Sequence, residues 1–103
     1  MKNYVCIYYN NGVREGLSAD ASKTEWGAWF GSLGENIVDA GNPFAADGKA
    51  VEKSGVTTIE NWPATGYTIL KANSLDDAVE LVKGCPVLNE PDGAVRVYEA
   101  LPM

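Results

Sequence analysis

The chain has 103 residues, 46% of them hydrophobic and 21% charged, and this size and balance predict one globular domain covering residues 1–103. The formal net charge is −6 and the eight Lys and Arg residues are scattered. This excludes a nucleic-acid partner, because nucleic-acid surfaces use clustered cations to neutralise phosphates. No apolar run is long enough to span a membrane and no secretory signal is recognisable, so we expect a cytoplasmic protein with no membrane partner.

The segment from Tyr4 to Tyr9 predicts the first strand, because it is rich in β-branched and aromatic residues. It is apolar at every alternate position on both faces, which is typical of a strand in the middle of a sheet. The polar residues that follow, up to Ala21, predict a loop.

The first helix is predicted to begin at Ser22, because Ser22 and Glu25 have the spacing of a capping box. Gly41 predicts its C-cap. The apolar stripe recurs at three- and four-residue intervals and consists of Trp26, Trp29, Phe30, Leu33 and Ile37. Its tryptophans have two interpretations: they pack in the core, or they line a ligand pocket.

Residues 42–65 carry short runs separated by glycine and proline, and they predict one hairpin-like excursion with a tight turn at Asp47-Gly48. The C-terminal third is more regular. Tyr67 to Ala72 predicts a strand, and Ser74 predicts the N-cap of a second helix that ends at Gly84. Ala94 to Ala100 predicts the final strand.

Two strand-helix-strand units predict an α+β fold, the ferredoxin-like βαββαβ sandwich, with a four-stranded antiparallel sheet and both helices on one face. Alternation along the strands sorts side chains between the two faces. The side chains predicted to face the helices are Val5, Ile7, Leu70, Val95 and Val97. Those predicted to face away are Tyr4, Cys6, Tyr8, Tyr67, Ile69, Lys71, Arg96 and Tyr98. The predicted sheet face away from the helices is rich in aromatic residues. Because large exposed apolar surfaces mark interaction sites, we expect this face to pair with a second copy and form a homodimer.

Several of these segments together resemble the YCII-related proteins, a family that includes the DGPF-type members. The matching segments are Gly66-Tyr67-Thr68-Ile69-Leu70, Asn73-Ser74-Leu75-Asp76-Asp77-Ala78, Gly84-Cys85-Pro86, Gly93-Ala94-Val95-Arg96-Val97-Tyr98, Trp26-Gly27-Ala28-Trp29-Phe30 and Val38-Asp39-Ala40-Gly41. The resemblance implies a dimeric α/β barrel with a cleft. Some members carry a histidine and an aspartate that look catalytic, but this chain has no histidine to take that role.

A candidate ligand site follows from the side chains predicted to face away from the helices. Lys71 and Arg96 supply positive charge there for a small anionic or aromatic ligand. The competing interpretation places these two cations at the rim of a dimer interface. The aromatic candidates for ligand contacts are Tyr8, Trp29, Tyr67 and Tyr98.

For catalysis, Asp39 at the predicted end of the first helix is the candidate residue, with a solvated helix-end aspartate as the alternative. We expect no metal, since histidine and a C-x-x-C pair are absent, and Cys6 and Cys85 are expected to be reduced packing thiols. No nucleotide-binding motif is present, so no cofactor is expected. Two functions stay open: a small-molecule-binding domain with an enzymatic cleft, and a non-enzymatic sensor or accessory interaction module.

Overall fold

A computed structural model describes residues 1–10, 19–45, 47–59, 64–90 and 92–103, with side chains in the first helix described from residue 23 onward. Helix α1 spans Ala19–Leu33 and α2 spans Leu75–Val82, and short 3-10 turns follow them at Gly34–Asn36 and Pro86–Asn89. The strands in chain order are β1 Lys2–Tyr9, β2 Ile37–Asp39, β3 Lys49–Glu52, β4 Gly55–Thr58, β5 Ala64–Ala72 and β6 Ala94–Ala100. None of the described helices is long and apolar enough to cross a membrane.

Four of these strands form an antiparallel sheet in the order β2-β5-β1-β6. Both helices pack on one face of it, since α1 and α2 share buried clusters with β1 and β5. The prediction of an α+β fold is confirmed, and the strand order is that of a ferredoxin-like sandwich. The central position predicted for β1 is also confirmed.

The predicted assignment of the faces of β1 is wrong. Tyr4, Cys6 and Tyr8 are buried against the helices. Directly opposite side chains of neighbouring strands lie on the same face, and Cys6 is opposite Thr68. Because β1 is apolar on both faces, its own alternation could not indicate which face meets the helices. The predictions for β5 and β6 are confirmed.

The sheet face without helices is therefore composed differently from the predicted one, and we call it the open sheet face. From β1 it contains Val5, Ile7 and Tyr9 instead of the wrongly assigned Tyr4, Cys6 and Tyr8. Most of its side chains are half-buried, and Tyr98 is 51% exposed. The members of the open sheet face are Val5, Ile7, Tyr9, Tyr67, Ile69, Lys71, Arg96 and Tyr98.

Helix α1 differs from its prediction at both ends. It begins at Ala19, so Ser22 lies inside it rather than at its cap, and it ends at Leu33. Gly34 then adopts φ +52°, a left-handed conformation that favours glycine and ends helices. The β-branched pair Ile37 and Val38 follows and enters β2, which pairs with β5.

The middle excursion is a hairpin, as predicted, but its turn is not at Asp47-Gly48. Strands β3 and β4 are joined through Lys53 and Ser54, and they form a separate two-stranded sheet. Residues 11–18 of the predicted loop, residue 46 and residues 60–63 lie outside the described residues.

The C-terminal third follows its prediction closely. The Asp77 amide donates to the Ser74 Oγ at 3.1 Å, which is the expected N-cap, and Asp76 and Asp77 occupy the positive end of α2. Strand β6 has the predicted bounds, Ala94–Ala100.

Candidate functional site

A pocket of about 530 Å³ opens between α1, the ends of β1 and β5, and the segment 40–43. Helix α1 contributes Trp26 and Phe30, which lie one turn apart and so project from the same side of the helix. The sheet contributes Tyr8, from the helix-facing side of β1. These three side chains give the pocket an aromatic wall.

The aromatic wall is held by ring contacts. The Tyr8 and Trp26 ring centroids are 5.0 Å apart at an interplanar angle of 70°, an edge-to-face arrangement. Trp26 and Phe30 lie 5.8 Å apart. Trp29, on the same helix, points into the core and is 5% exposed. Its indole Nε1 donates a hydrogen bond to the Leu81 carbonyl of α2 at 3.1 Å. The pocket wall therefore rests on a buried link between α1 and α2.

A chain of hydroxyls connects Tyr8 to the opposite wall of the pocket. The Tyr8 phenol donates to the Thr68 Oγ1 at 2.5 Å, and Thr68 donates to the Ala40 carbonyl at 2.8 Å. Burial raises the pKa of Tyr8 well above its ordinary value, more than the hydrogen bond with Thr68 lowers it. The phenol therefore stays neutral near pH 7.

The wall formed by residues 40–43 is attached to β5 by its backbone. Pro43 bridges to Gly66, and the Tyr67 amide donates to the Asn42 carbonyl at 3.3 Å. Gly41 adopts φ +80°, and a Cβ there would collide with the Tyr67 carbonyl oxygen. Only glycine permits this close approach of the wall to the sheet.

Asn10 and Lys23 also line the pocket, together with the polar residues Asn42 and Thr65. Asn10 is 8% exposed, and its Nδ2 donates to the Glu90 Oε2 at 2.6 Å. Lys23, from the first turns of α1, is the charged side chain among the described residues that line the pocket. Most of the lining is apolar, so the pocket suits a flat apolar ligand with a polar or negative end near Lys23.

The structure divides the sequence-predicted ligand residues between two places. Tyr8 lines the pocket and Trp29 lies beneath it in the core. Lys71, Arg96 and Tyr98 lie on the open sheet face. Tyr67 belongs to that face but also borders the pocket.

Within the open sheet face, the two cations are in different surroundings. The Arg96 guanidinium carbon lies 4.8 Å from the centroid of the Tyr9 ring, a cation–π contact. Lys71 is half-buried on β5, and its backbone carbonyl accepts from Asn36 at 2.9 Å. The predicted cluster of Lys71 and Arg96 with Tyr8 does not form, because Tyr8 is on the other side of the sheet.

Asp39 is not at a helix end but on β2, at the edge of the sheet, and it is exposed. Its Oδ1 accepts from the Gly41 amide at 2.8 Å, which shapes the turn into the pocket wall. The described pocket lining includes Ala40 and Gly41 but not Asp39. This arrangement supports a structural role for Asp39, which positions the turn that leads into the pocket wall, rather than a catalytic one.

Sequence reasoning did not name Asn10, Lys23 or Phe30 as site residues, and it offered Trp26 a place in a ligand pocket only as an alternative to packing in the core. The sequence held a signal for Trp26 and Phe30, because the apolar stripe of α1 is wider than the part of the helix that packs on the core. The sequence held no such signal for Asn10 and Lys23. They come from separate segments of the chain and line the same pocket only because α1 packs on β1.

The two cysteines are buried and free. Burial raises the pKa of Cys6 to about 11 and that of Cys85 to about 12, so both remain neutral thiols at neutral pH. Within the part of the chain that the structure describes, no three Cys, Asp or Glu side chains come together in a group that could hold a metal ion.

No protein-family model and no curated protein matches this chain. The resemblance to the YCII-related proteins stays a prediction from the sequence. The fold and the pocket define a small α+β domain with an aromatic-walled site between helix and sheet.

Proposed function

We propose that the protein is a small-molecule-binding domain whose pocket takes a flat, aromatic ligand with a negatively charged end. The observation that carries the proposal is the pocket of about 530 Å³ walled by Tyr8, Trp26 and Phe30. Its volume lies within the range of roughly 300–1,000 Å³ typical of ligand sites. Aromatic side chains stack well on planar ligands, and Lys23 supplies a positive charge for an acidic group.

Binding is favoured over catalysis by the character of the pocket groups. The Tyr8 phenol has a raised pKa and donates a hydrogen bond to the Thr68 hydroxyl, so it is not poised as a base near neutral pH. Both thiols, Cys6 and Cys85, are buried in the core outside the described pocket lining and are neutral. A sensor or accessory domain that binds a metabolite accounts for such a pocket without requiring a reaction.

We also propose that the protein works as a homodimer in which the open sheet faces of two copies pack together as a dimeric α/β barrel. No described helix lies on the open sheet face, and Tyr98 on it is 51% exposed. The apolar side chains of the open sheet face, such as Val5 and Ile69, are suited to such a contact.

The ligand proposal is tested by thermal shift with aromatic carboxylates and their uncharged amide analogues. A carboxylate at about 100 times its dissociation constant adds roughly 2.7 kcal/mol to the folded state. For a domain of this size we expect a rise in Tm of roughly 10 °C or more, and a smaller rise with the amides.

Variants assign the binding to the pocket. Trp26→Ala should weaken every ligand, whereas Lys23→Gln should weaken the carboxylates selectively. Lys83→Gln is the matched control, because Lys83 is an exposed lysine outside the described pocket lining and pairs with Glu80 at 2.7 Å. Wild-type affinity in both pocket variants would refute the site.

A further inference from the structure

The hydroxyl chain from Tyr8 to Ala40 has one possible direction. The Ala40 carbonyl can only accept, so the Thr68 hydroxyl donates its proton to it, over an oxygen–oxygen distance of 2.8 Å. A threonine hydroxyl has a single proton. Because that proton is used at Ala40, the Thr68 oxygen can only accept from Tyr8, and the Tyr8 phenol is the donor at 2.5 Å. The reverse direction would leave the Thr68 and Ala40 oxygens in contact with no proton between them.

This direction determines what the Tyr8 oxygen offers to a ligand. The single proton of the phenol is used inside the protein, and the hydrogen-bonding capacity that remains on its oxygen is that of an acceptor. Burial raises the pKa of Tyr8, so the phenol keeps its proton near neutral pH and the direction of the chain is preserved. Towards a ligand, Tyr8 therefore acts as an acceptor only.

The two ends of the hydroxyl chain belong to the pocket. Tyr8 and Ala40 both line it, and Thr68, which joins them, is fully buried. The Tyr8 ring is held at its hydroxyl by Thr68 and at its edge by Trp26, with ring centroids 5.0 Å apart. The acceptor is therefore oriented before a ligand binds, which lowers the entropy lost on binding.

The side of the pocket formed by α1 has the opposite polarity. Its lining residues are Lys23, Trp26 and Phe30. The ammonium group of lysine and the indole N–H of tryptophan donate hydrogen bonds and cannot accept them, and phenylalanine has no polar group. A ligand that is complementary to both sides therefore carries an acceptor towards α1 and a donor towards β1.

We infer that the pocket selects aromatic acids that also carry an amino or hydroxyl group, which donates a hydrogen bond to the Tyr8 phenol oxygen. The inference rests on the ligand class proposed above and narrows it. The carboxylate lies towards Lys23 and the N–H or O–H group lies towards Tyr8. An analogue that lacks the donor leaves the Tyr8 oxygen facing an apolar group or a second acceptor, and it loses affinity.

The inference is tested with aromatic carboxylates that differ in one substituent. The probes are benzoates and 2-naphthoates that carry an amino, methyl or methoxy group at each ring position in turn. The amino group donates, the methyl group is of similar size and forms no hydrogen bond, and the methoxy group only accepts. Isothermal titration calorimetry measures each dissociation constant with the full chain. At the ring position that meets Tyr8, the amino compound should bind at least fivefold more tightly than the methyl compound, as one net hydrogen bond provides, and the methoxy compound should bind more weakly than both.

A variant assigns this preference to Tyr8. Tyr8→Phe keeps the ring and removes the acceptor, so the preference for the amino over the methyl compound should fall below about twofold. Tyr4→Phe is the matched control, because it makes the same change on the same face of β1 outside the described pocket lining. The Tyr4 hydroxyl is buried and has no hydrogen-bond partner among the described residues, so this control should keep the full preference. Circular dichroism confirms that both variants are folded.

The outcomes separate this inference from the function on which it rests. The inference is overturned if no amino compound binds more tightly than its methyl counterpart, if the methoxy compounds bind best, or if the amino preference survives Tyr8→Phe. Each of these results leaves the pocket for aromatic acids intact. A wild-type chain that binds none of the carboxylates overturns the proposed function itself, and this inference with it.

Discussion

Replacing Thr68 by valine removes the hydroxyl that links the Tyr8 phenol to the Ala40 carbonyl, while nearly conserving side-chain volume. Thr68 is fully buried and Tyr8 is 5% exposed, so the substitution leaves the phenol in a mostly buried position without its wild-type partner. A buried polar group left unsatisfied costs about 1–3 kcal/mol. We expect Thr68→Val to lower the free energy of unfolding by about 2 kcal/mol, a substantial share of the roughly 5–15 kcal/mol typical of a domain.

A double-mutant cycle with Tyr8→Phe separates this linkage from packing. In the wild-type background Tyr8→Phe loses one hydrogen bond and should cost about 1 kcal/mol. In the Thr68→Val background it removes the stranded hydroxyl, and should be neutral or stabilising. Urea unfolding at a fixed protein concentration measures all four proteins. An equal cost for Tyr8→Phe in both backgrounds would refute a coupled chain of hydroxyls.

Three further outcomes test the packing, the backbone and the buried thiols. Val5→Asp places a charge in the open sheet face and should give a folded monomer of 11.0 kDa by light scattering, whereas the proposed wild-type dimer should have twice that mass; a monomeric wild type would contradict the dimer. Gly41→Ala should destabilise by more than ~1 kcal/mol because its Cβ meets a carbonyl, whereas Gly31→Ala, with open space on α1, should stabilise by up to ~1 kcal/mol in urea unfolding. Burial raises the pKa of Cys6 to about 11 and that of Cys85 to about 12, so the unfolded chain loses these protons first, at pH near 9. The stability they contribute is complete below about pH 8 and falls as the pH rises towards 11, and a flat urea midpoint over pH 8–10.5 would contradict their burial.

Elements whose signals are local could be predicted from the sequence. Ser74 caps α2 because its hydroxyl meets an amide three residues on, and this depends on neighbouring residues alone. Strand β6 was predicted with its observed bounds for a similar reason, since the turn residues Asp92 and Gly93 come directly before its run of β-branched and aromatic residues. The strand-helix order then restricted the topology to few choices, which is why the sandwich was predictable.

The sequence by itself determined the class of fold, the central position of β1 and the cap of α2. Only the tertiary structure determined which face of β1 meets the helices, because β1 is apolar on both faces and the pairing of Cys6 with Thr68 and Val97 selects one of them. Strand β2 also depends on the tertiary structure. Its three residues are too few to predict a strand from sequence, and they form one only because they pair with β5. The pocket depends on the orientation of β1 and on the pairing of β2. Its wall from β1 and its wall from residues 40–43 come together only when these distant segments pair with β5.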